Sequence, residues 1–272
     1  MKSLFIQKLE IQIKSNEKNF GCSYAFESGL NIIRGENSTG KSTLANAILY
    51  CLGLEIILGM KGPQSMTPAL RERFEFANRE LEVDESFIEM EIKNHQNECI
   101  ILRRQIKGGK KDHKLIQVLI KNDSGLLKDD IKPHYFFLHD PGSAQREHGF
   151  HNYLAKFLGL DLPIVQTYKF NEVLLYLECL FSLFFVEQYK GWSEILATIP
   201  TQFGIKDMGK RVIEYIMALE VYENEKKREQ INKKLYHLQE KWNNSFYLLR
   251  SFAKEINGIL NNQIKKLSLI HI

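Results

Sequence analysis

Cysteine is scarce: Cys22, Cys51, Cys99 and Cys179 are the only four in 272 residues, far apart, with no CxxC pair and no histidine at zinc-ligand spacing. That scarcity excludes a disulfide framework, argues against a zinc site and points to a reducing compartment. Long apolar runs are missing too. The longest, residues 173–186, covers 14 positions and is interrupted by Glu178, whereas a membrane span needs about 20. The N-terminal MKSLFIQKLEIQIK alternates charge with apolar residues and so lacks the apolar centre of a signal peptide. Neither a repeat nor a low-complexity tract is visible. The expectation is a soluble cytoplasmic protein without a membrane partner.

What is present suits a folded chain. With 44% hydrophobic and 26% charged residues it lies far from the disordered regime, and its length allows one large domain or two small ones. The net charge of +4 is unevenly spread. Residues 222–266 carry ten Lys and Arg against five acids, so the remainder of the chain is slightly negative. The basic excess belongs to a C-terminal appendage.

Alternation at Leu4, Ile6, Leu9, Ile11 and Ile13 predicts a half-buried strand over residues 4–14. A second strand is expected at 22–26. Leu30-Asn31-Ile32-Ile33 is a short apolar run of the buried-strand kind, and 43–52 has helical spacing closed by Gly53. Residues 54–84 read as a helical, polar connector. Strands are expected at 87–92, 99–106, 115–120 and 135–139, the second and third joined by a hairpin loop, with a helix at 149–158. Buried structure is expected over 171–187. From 207 to 261 the chain reads as continuously helical. Leu235, Trp242, Leu249 and Ile256 fall on heptad a positions, and Ile231, Leu238, Ser245, Phe252 and Ile259 on d positions. This spacing predicts a coiled coil, an amphipathic helix lying on the domain being the alternative.

One octapeptide carries chemistry. Gly35-Glu36-Asn37-Ser38-Thr39-Gly40-Lys41-Ser42 satisfies GxxxxGK[ST], with an apolar run before it and a helical pattern after it. Glycines at these positions let the backbone curl so that successive N–H groups face phosphate oxygens at a helix N-terminus. Lys41 is placed to neutralise the β- and γ-phosphates and Ser42 to ligate Mg²⁺, with Thr43 completing the binding segment. The cofactors implied are ATP and Mg²⁺.

Two strands followed by FESGLNIIRGENSTGKSTLANAILYCLG resemble the N-terminal head lobe of SMC/SbcC/RecN-like ATPases, ABC-type P-loop proteins related to the SbcC-type AAA group. Their usual loop has a second glycine where Ser38 stands here. Phe184-Phe185-Val186-Glu187-Gln188 resembles the Q-loop of these heads, which would bring Gln188 to Mg²⁺ or the attacking water. The resemblance implies an α/β P-loop fold, a mixed sheet around the Walker A helix, and a coiled-coil arm. It implies head lobe over residues 1–206 and arm over 207–263, while the final 264–272 breaks the pattern and reads as a non-native or disordered tail. No serine–glycine signature and no strand ending in Asp-Glu occurs in this chain. The chain therefore reads as the N-terminal part of a split head, binding ATP but incomplete for hydrolysis. The implied partners are a second head, DNA and a nuclease subunit, in double-strand break repair or anti-phage defence.

Other readings stand beside this one. Tyr135–Asp140 resembles a Walker B strand, making Asp140 a Mg²⁺ ligand of a self-contained NTPase or kinase; a strand running into a turn is the plainer account. A coiled-coil assembly module holding a structural nucleotide is a third. Arg103, Arg104, Lys107, Lys110, Lys111 and Lys114 surround Gly108-Gly109 as either a DNA-contacting loop or a solvated hairpin tip. His134, His139, His148 and His151 read as surface or helix-face residues.

Overall fold

The computed structural model describes residues 3–16, 18–121, 133–140, 142–169, 171–186, 199–219 and 221–258. Two units follow one another along the chain, 1–212 and 213–272. The first is built on a six-stranded antiparallel sheet. In chain order its strands are β1 (Leu4–Lys14), β2 (Asn19–Ala25), β5 (Glu85–Asn94), β6 (Cys99–Lys107), β7 (Leu115–Ile120) and β8 (His134–Phe137), arranged β2-β1-β5-β6-β7-β8. Between β2 and β5 come α1 (Lys41–Cys51), the single-turn α2 (Pro68–Arg71) and the hairpin β3 (Arg73–Phe76) with β4 (Arg79–Glu82). After β8 follow α3 (Phe150–Phe157), the small pair β9 (Ile164–Gln166) and β10 (Glu172–Leu174), and α4 (Leu177–Phe181).

The period-2 alternation sets which face of the sheet is buried. Leu9 and Ile11 of β1 lie opposite Met90 and Ile88 of β5, and Leu102 of β6 opposite Val118 of β7. All six are buried, each large one contributing about 1.5–3 kcal/mol. Helix α1 lies across this inner face. Its Leu44, Ala47, Leu49, Tyr50 and Cys51 are buried, the Tyr50 hydroxyl donates to the Gln105 carbonyl at 2.6 Å, and Cys51 Sγ lies 3.7 Å from the Leu102 carbonyl. Phe150 and Leu154 of α3 are fully buried as well.

Three expectations from pattern need revision. Residues 54–84 are not a helical connector: two 3₁₀ turns (Glu55–Leu58 and Gly62–Ser65) and α2 lead into the β3–β4 hairpin. Ala77 and Asn78 close that hairpin with φ of 52° and 59°, and Phe20 of β2 anchors it through edge-on contacts with Phe74 and Phe76 at 4.9 Å. The sheet is wholly antiparallel rather than mixed, because local turns and the long 26–84 excursion join its strands. Third, the run Leu30–Ile33 forms no strand: Leu30 is 88% and Ile32 80% exposed, with Ile33 also exposed. No described strand lies beside them to pair with or cover them.

The second unit is helical. Helix α5 (Met208–Ile216) spans the junction and α6 (Val221–Glu255) runs for 35 residues. The helical pattern breaks between them where Ala218 takes φ 48°. On α6 the residues Ile231, Leu238, Leu249 and Phe252 are all more than half exposed, while Leu235 and Trp242 are half-buried, so much of the heptad stripe is open in the chain by itself. Ile259 and the tail lie outside the described residues. No helix among the described residues is long and apolar enough to cross a membrane.

Candidate functional site

The segment Gly35–Ser42 wraps the N-terminus of α1. Ser38 adopts φ 64° and Gly40 φ 89°, left-handed turns of the kind that let successive N–H groups converge on an anion. Thr39 Oγ1 donates to the Glu36 carbonyl at 2.8 Å and closes the loop on itself. A Cβ at Gly35 would stand 2.6 Å from Thr39 Oγ1 and displace that hydroxyl from its bond within the loop. Gly40 is required by conformation.

Lys41 folds back over this ring. Its Nζ donates to the carbonyl oxygens of Gly35, at 2.8 Å, and of Glu36, at 2.5 Å. The first turn of α1 has no side-chain cap and no acidic residue, so its leading N–H groups stay open to an anion, and the helix dipole adds to their field. Ser42 is exposed beside them. The arrangement fits a polyphosphate: a curled backbone with an uncapped helix N-terminus, the Lys41 ammonium folded over it and the exposed Ser42 hydroxyl at the rim. Glu36, Asn37, Ser38, Thr39 and Gly40 would wrap the phosphates, Thr43 would extend the donor row, and Ser42 would hold Mg²⁺. A bound nucleotide would supply the anhydride bond, which Lys41 would orient and neutralise.

The other end of α1 is built differently. Arg104 is completely buried on the inner face of β6. It sets two nitrogens on Glu55, at 2.8 and 3.0 Å, donates from Nε to the His113 carbonyl and from NH1 to the Tyr50 carbonyl, and lies 3.9 Å from the centre of the Tyr50 ring. His139, at φ 62°, brings Nε2 to 2.8 Å from the same Glu55 carboxylate, which also accepts from the Gly62 N–H. Burial opposes a charge on Glu55, yet Arg104 and His139 hold its carboxyl well below the ordinary range. A second buried pair stands nearby: His151 approaches Glu178 and the Leu52 carbonyl. Cations thus sit on carbonyls at the carboxyl end of α1, where the dipole favours them.

These contacts decide where several sequence candidates go. His139 and His151 are not surface histidines but partners of buried carboxylates. Arg104 is no part of a basic loop: adjacent strand residues face opposite ways, so Arg103 points outward and Arg104 inward. Asp140 is exposed, with Lys114 Nζ 3.9 Å away, and its neighbour His139 packs on Glu55, beyond the C-terminus of α1. Nine helical steps, about 14 Å at 1.5 Å per residue, separate that end from Ser42. The structure does not bring Asp140 to the Gly35–Ser42 loop. Gln188, with Glu187, lies outside the described residues; the preceding Phe184 and Val186 form no strand and are about two-thirds exposed. The Arg104–Glu55–His139 group escaped sequence reasoning; the only signal for it was the inward register of position 104.

A sequence model of an AAA-domain family matches residues 16–268. The chain belongs to that AAA-domain family. Its type is that of a nucleotide-binding P-loop ATPase, and the loop just described lies inside the matched span. Among curated proteins none matches this AAA domain.

Proposed function

We propose that this AAA domain is the ATP-binding N-terminal half of an SMC/SbcC/RecN-like head, in which Mg-ATP held at Gly35–Thr43 promotes engagement with a second head. Hydrolysis would then be coupled to DNA binding, in break repair or anti-phage defence, with a nuclease subunit as a further partner. The observation that carries this reading is the state of the loop. Its lysine covers the carbonyls of an open, uncapped helix N-terminus, and the apolar Leu30–Ile33 leading into it lies bare. Such a segment suits a strand awaiting neighbours from a complementary lobe, which would bring the signature serine and the Asp-Glu pair. The exposed apolar residues along the stripe of α6, Ile231, Leu238, Leu249 and Phe252, support an arm that pairs with another helix. The position of Asp140 at the far end of α1 weighs against a self-contained NTPase.

Binding and turnover of Mg-ATP by the chain and by Lys41→Ala test this. Binding by the parent, lost in the variant, with turnover no faster than the variant's, is the expected result. Equal binding by both would overturn the assignment of the loop, and brisk turnover abolished by Asp140→Asn would overturn the split-head reading.

A further inference from the structure

The face of the sheet turned away from α1 holds a groove of about 220 Å³ at the β6–β7 hairpin. Arg103 and Phe87 form its floor, Lys14 one wall, and Lys110 and Lys111 the opposite lip. The lip is not a loose hairpin tip. Lys111 Nζ donates to Gln117 Oε1 at 2.6 Å and stands 4.7 Å from the centre of the Tyr135 ring, which folds the loop back onto the sheet. The Arg103 guanidinium lies 3.9 Å from the Phe87 ring centre and is only loosely engaged by Glu89, at 3.6 Å. Lys14 is paired with Glu85 at 2.6 Å. Lys110 and Lys111, by contrast, have no carboxylate within ion-pair distance among the described residues. Four cations therefore line the groove, with Glu85 on Lys14 and Glu89 beside Arg103 as the neighbouring carboxylates, and concave walls concentrate the field of the excess carried by Lys110 and Lys111.

Beside the groove the same face carries aromatic surface. Tyr135 pairs with Gln117 and Phe137 with Leu115 in the β7–β8 register, and both rings are exposed, at 40% and 46%. Fixed cations beside exposed rings on a sheet suit a ligand that carries phosphate and a flat base together. The cations take the phosphate, the guanidinium as a planar fork and the lysines as point charges. The rings take bases by stacking, which a base-paired duplex does not offer. We infer that this face is a binding site for single-stranded nucleic acid, with phosphates in the Lys110–Lys111–Arg103 groove and bases on Tyr135 and Phe137. A free mononucleotide presents the same chemistry. The site shares no residue with Gly35–Ser42 and stands whether or not ATP binds there.

Anisotropy of a labelled oligonucleotide of about 15 nucleotides tests the inference across a salt series. Four proteins are compared: the parent, Lys110→Glu with Lys111→Glu, Tyr135→Ala, and Lys41→Ala. The charge-reversed protein, altered only at exposed loop positions, is expected to bind at least about tenfold more weakly, with a salt slope shallower by about 1.4 for two lost phosphate contacts. Tyr135→Ala is expected to weaken binding at least about fivefold with the slope unchanged, and Lys41→Ala to change nothing. Displacement of the oligonucleotide by AMP at comparable concentration of nucleotide would support the groove and assign it to free nucleotides. Equal affinity of the parent and the charge-reversed protein, both folded by circular dichroism, would overturn the site. Tighter binding of the matching duplex than of the single strand would overturn its assignment to single strands.

Discussion

His151 meets Glu178 in the interior with its Nδ1 3.3 Å from the carboxylate, both side chains about 6% exposed. The other ring nitrogen faces the Leu52 carbonyl at 3.3 Å. A neutral imidazole donates from one nitrogen only, so two acceptors favour the imidazolium. Burial works against that charge, but Glu178 prevails and the His151 pKa is raised; burial likewise opposes ionised Glu178, and His151 lowers its pKa.

The signs fix a pH dependence. The raised His151 contributes stability that is full below its unfolded value, near 6.5, and is lost as pH climbs through the folded one. The lowered Glu178 contributes above its unfolded value, near 4.5, and is lost as pH falls through its folded one. Urea unfolding of the parent is expected to show the largest contribution from this pair between those values. The stability difference between the parent and His151→Gln should shrink towards alkaline pH. A difference that stays flat from pH 6 to 9 would show that the pair is neutral.

Arg104 and Glu55 are each completely buried, so removing one leaves the other charge stranded. Arg104→Leu is expected to destabilise by about 3–5 kcal/mol, and the double change Arg104→Leu with Glu55→Leu by distinctly less than the sum of the two single losses. Denaturant midpoints of the four proteins measure this; simple additivity would mean that the pair is not coupled.

Ser38 holds a left-handed backbone that a side chain makes unfavourable by about 1–2 kcal/mol. Ser38→Gly is expected to keep nucleotide binding and to tighten it modestly, by up to about tenfold, if the bound loop keeps the curl while the free loop relaxes. Titration with Mg-ATP decides; weaker binding would show that the Ser38 hydroxyl itself contacts the ligand.

Leu30 and Ile32 are bare, so their replacement should leave the fold's stability within about 0.5 kcal/mol. The pair Leu30→Ser with Ile32→Ser should reduce self-association and dye binding by exposed apolar surface. Sedimentation and unfolding together check both halves, and a large loss of stability would place these residues in a core.

Local pattern disclosed what local pattern controls. Alternation marked β1, short strand-like runs marked β5, β6 and β7, and β7 begins and ends at the expected residues, 115 and 120. The phosphate-loop motif was legible because it is contiguous. Pairing partners were not: nothing within Leu30–Ile33 says whether a neighbouring strand exists, and only the absence of one among the described residues makes the run exposed. Ala77 and Asn78 conceal their turn because neither is glycine, and Asn78 alone is a residue that tolerates the left-handed region readily. Arg104 looked basic and exposed beside five other cations. Its partner Glu55 stands 49 positions away, and His139, which shares that carboxylate, stands 84 positions from Glu55, beyond any local window.

Anchoring at one end gives α1 a mechanical character. The Tyr50 and Leu52 carbonyls are gripped from β6 and α3, while Lys41 at the opposite end hydrogen-bonds, among the described residues, to carbonyls of its own loop. A force applied at the loop is then borne by the helix as by a cantilevered beam, stiff at the root and yielding at the tip. Amide exchange should be slowest around Tyr50 and quicken towards Ser42.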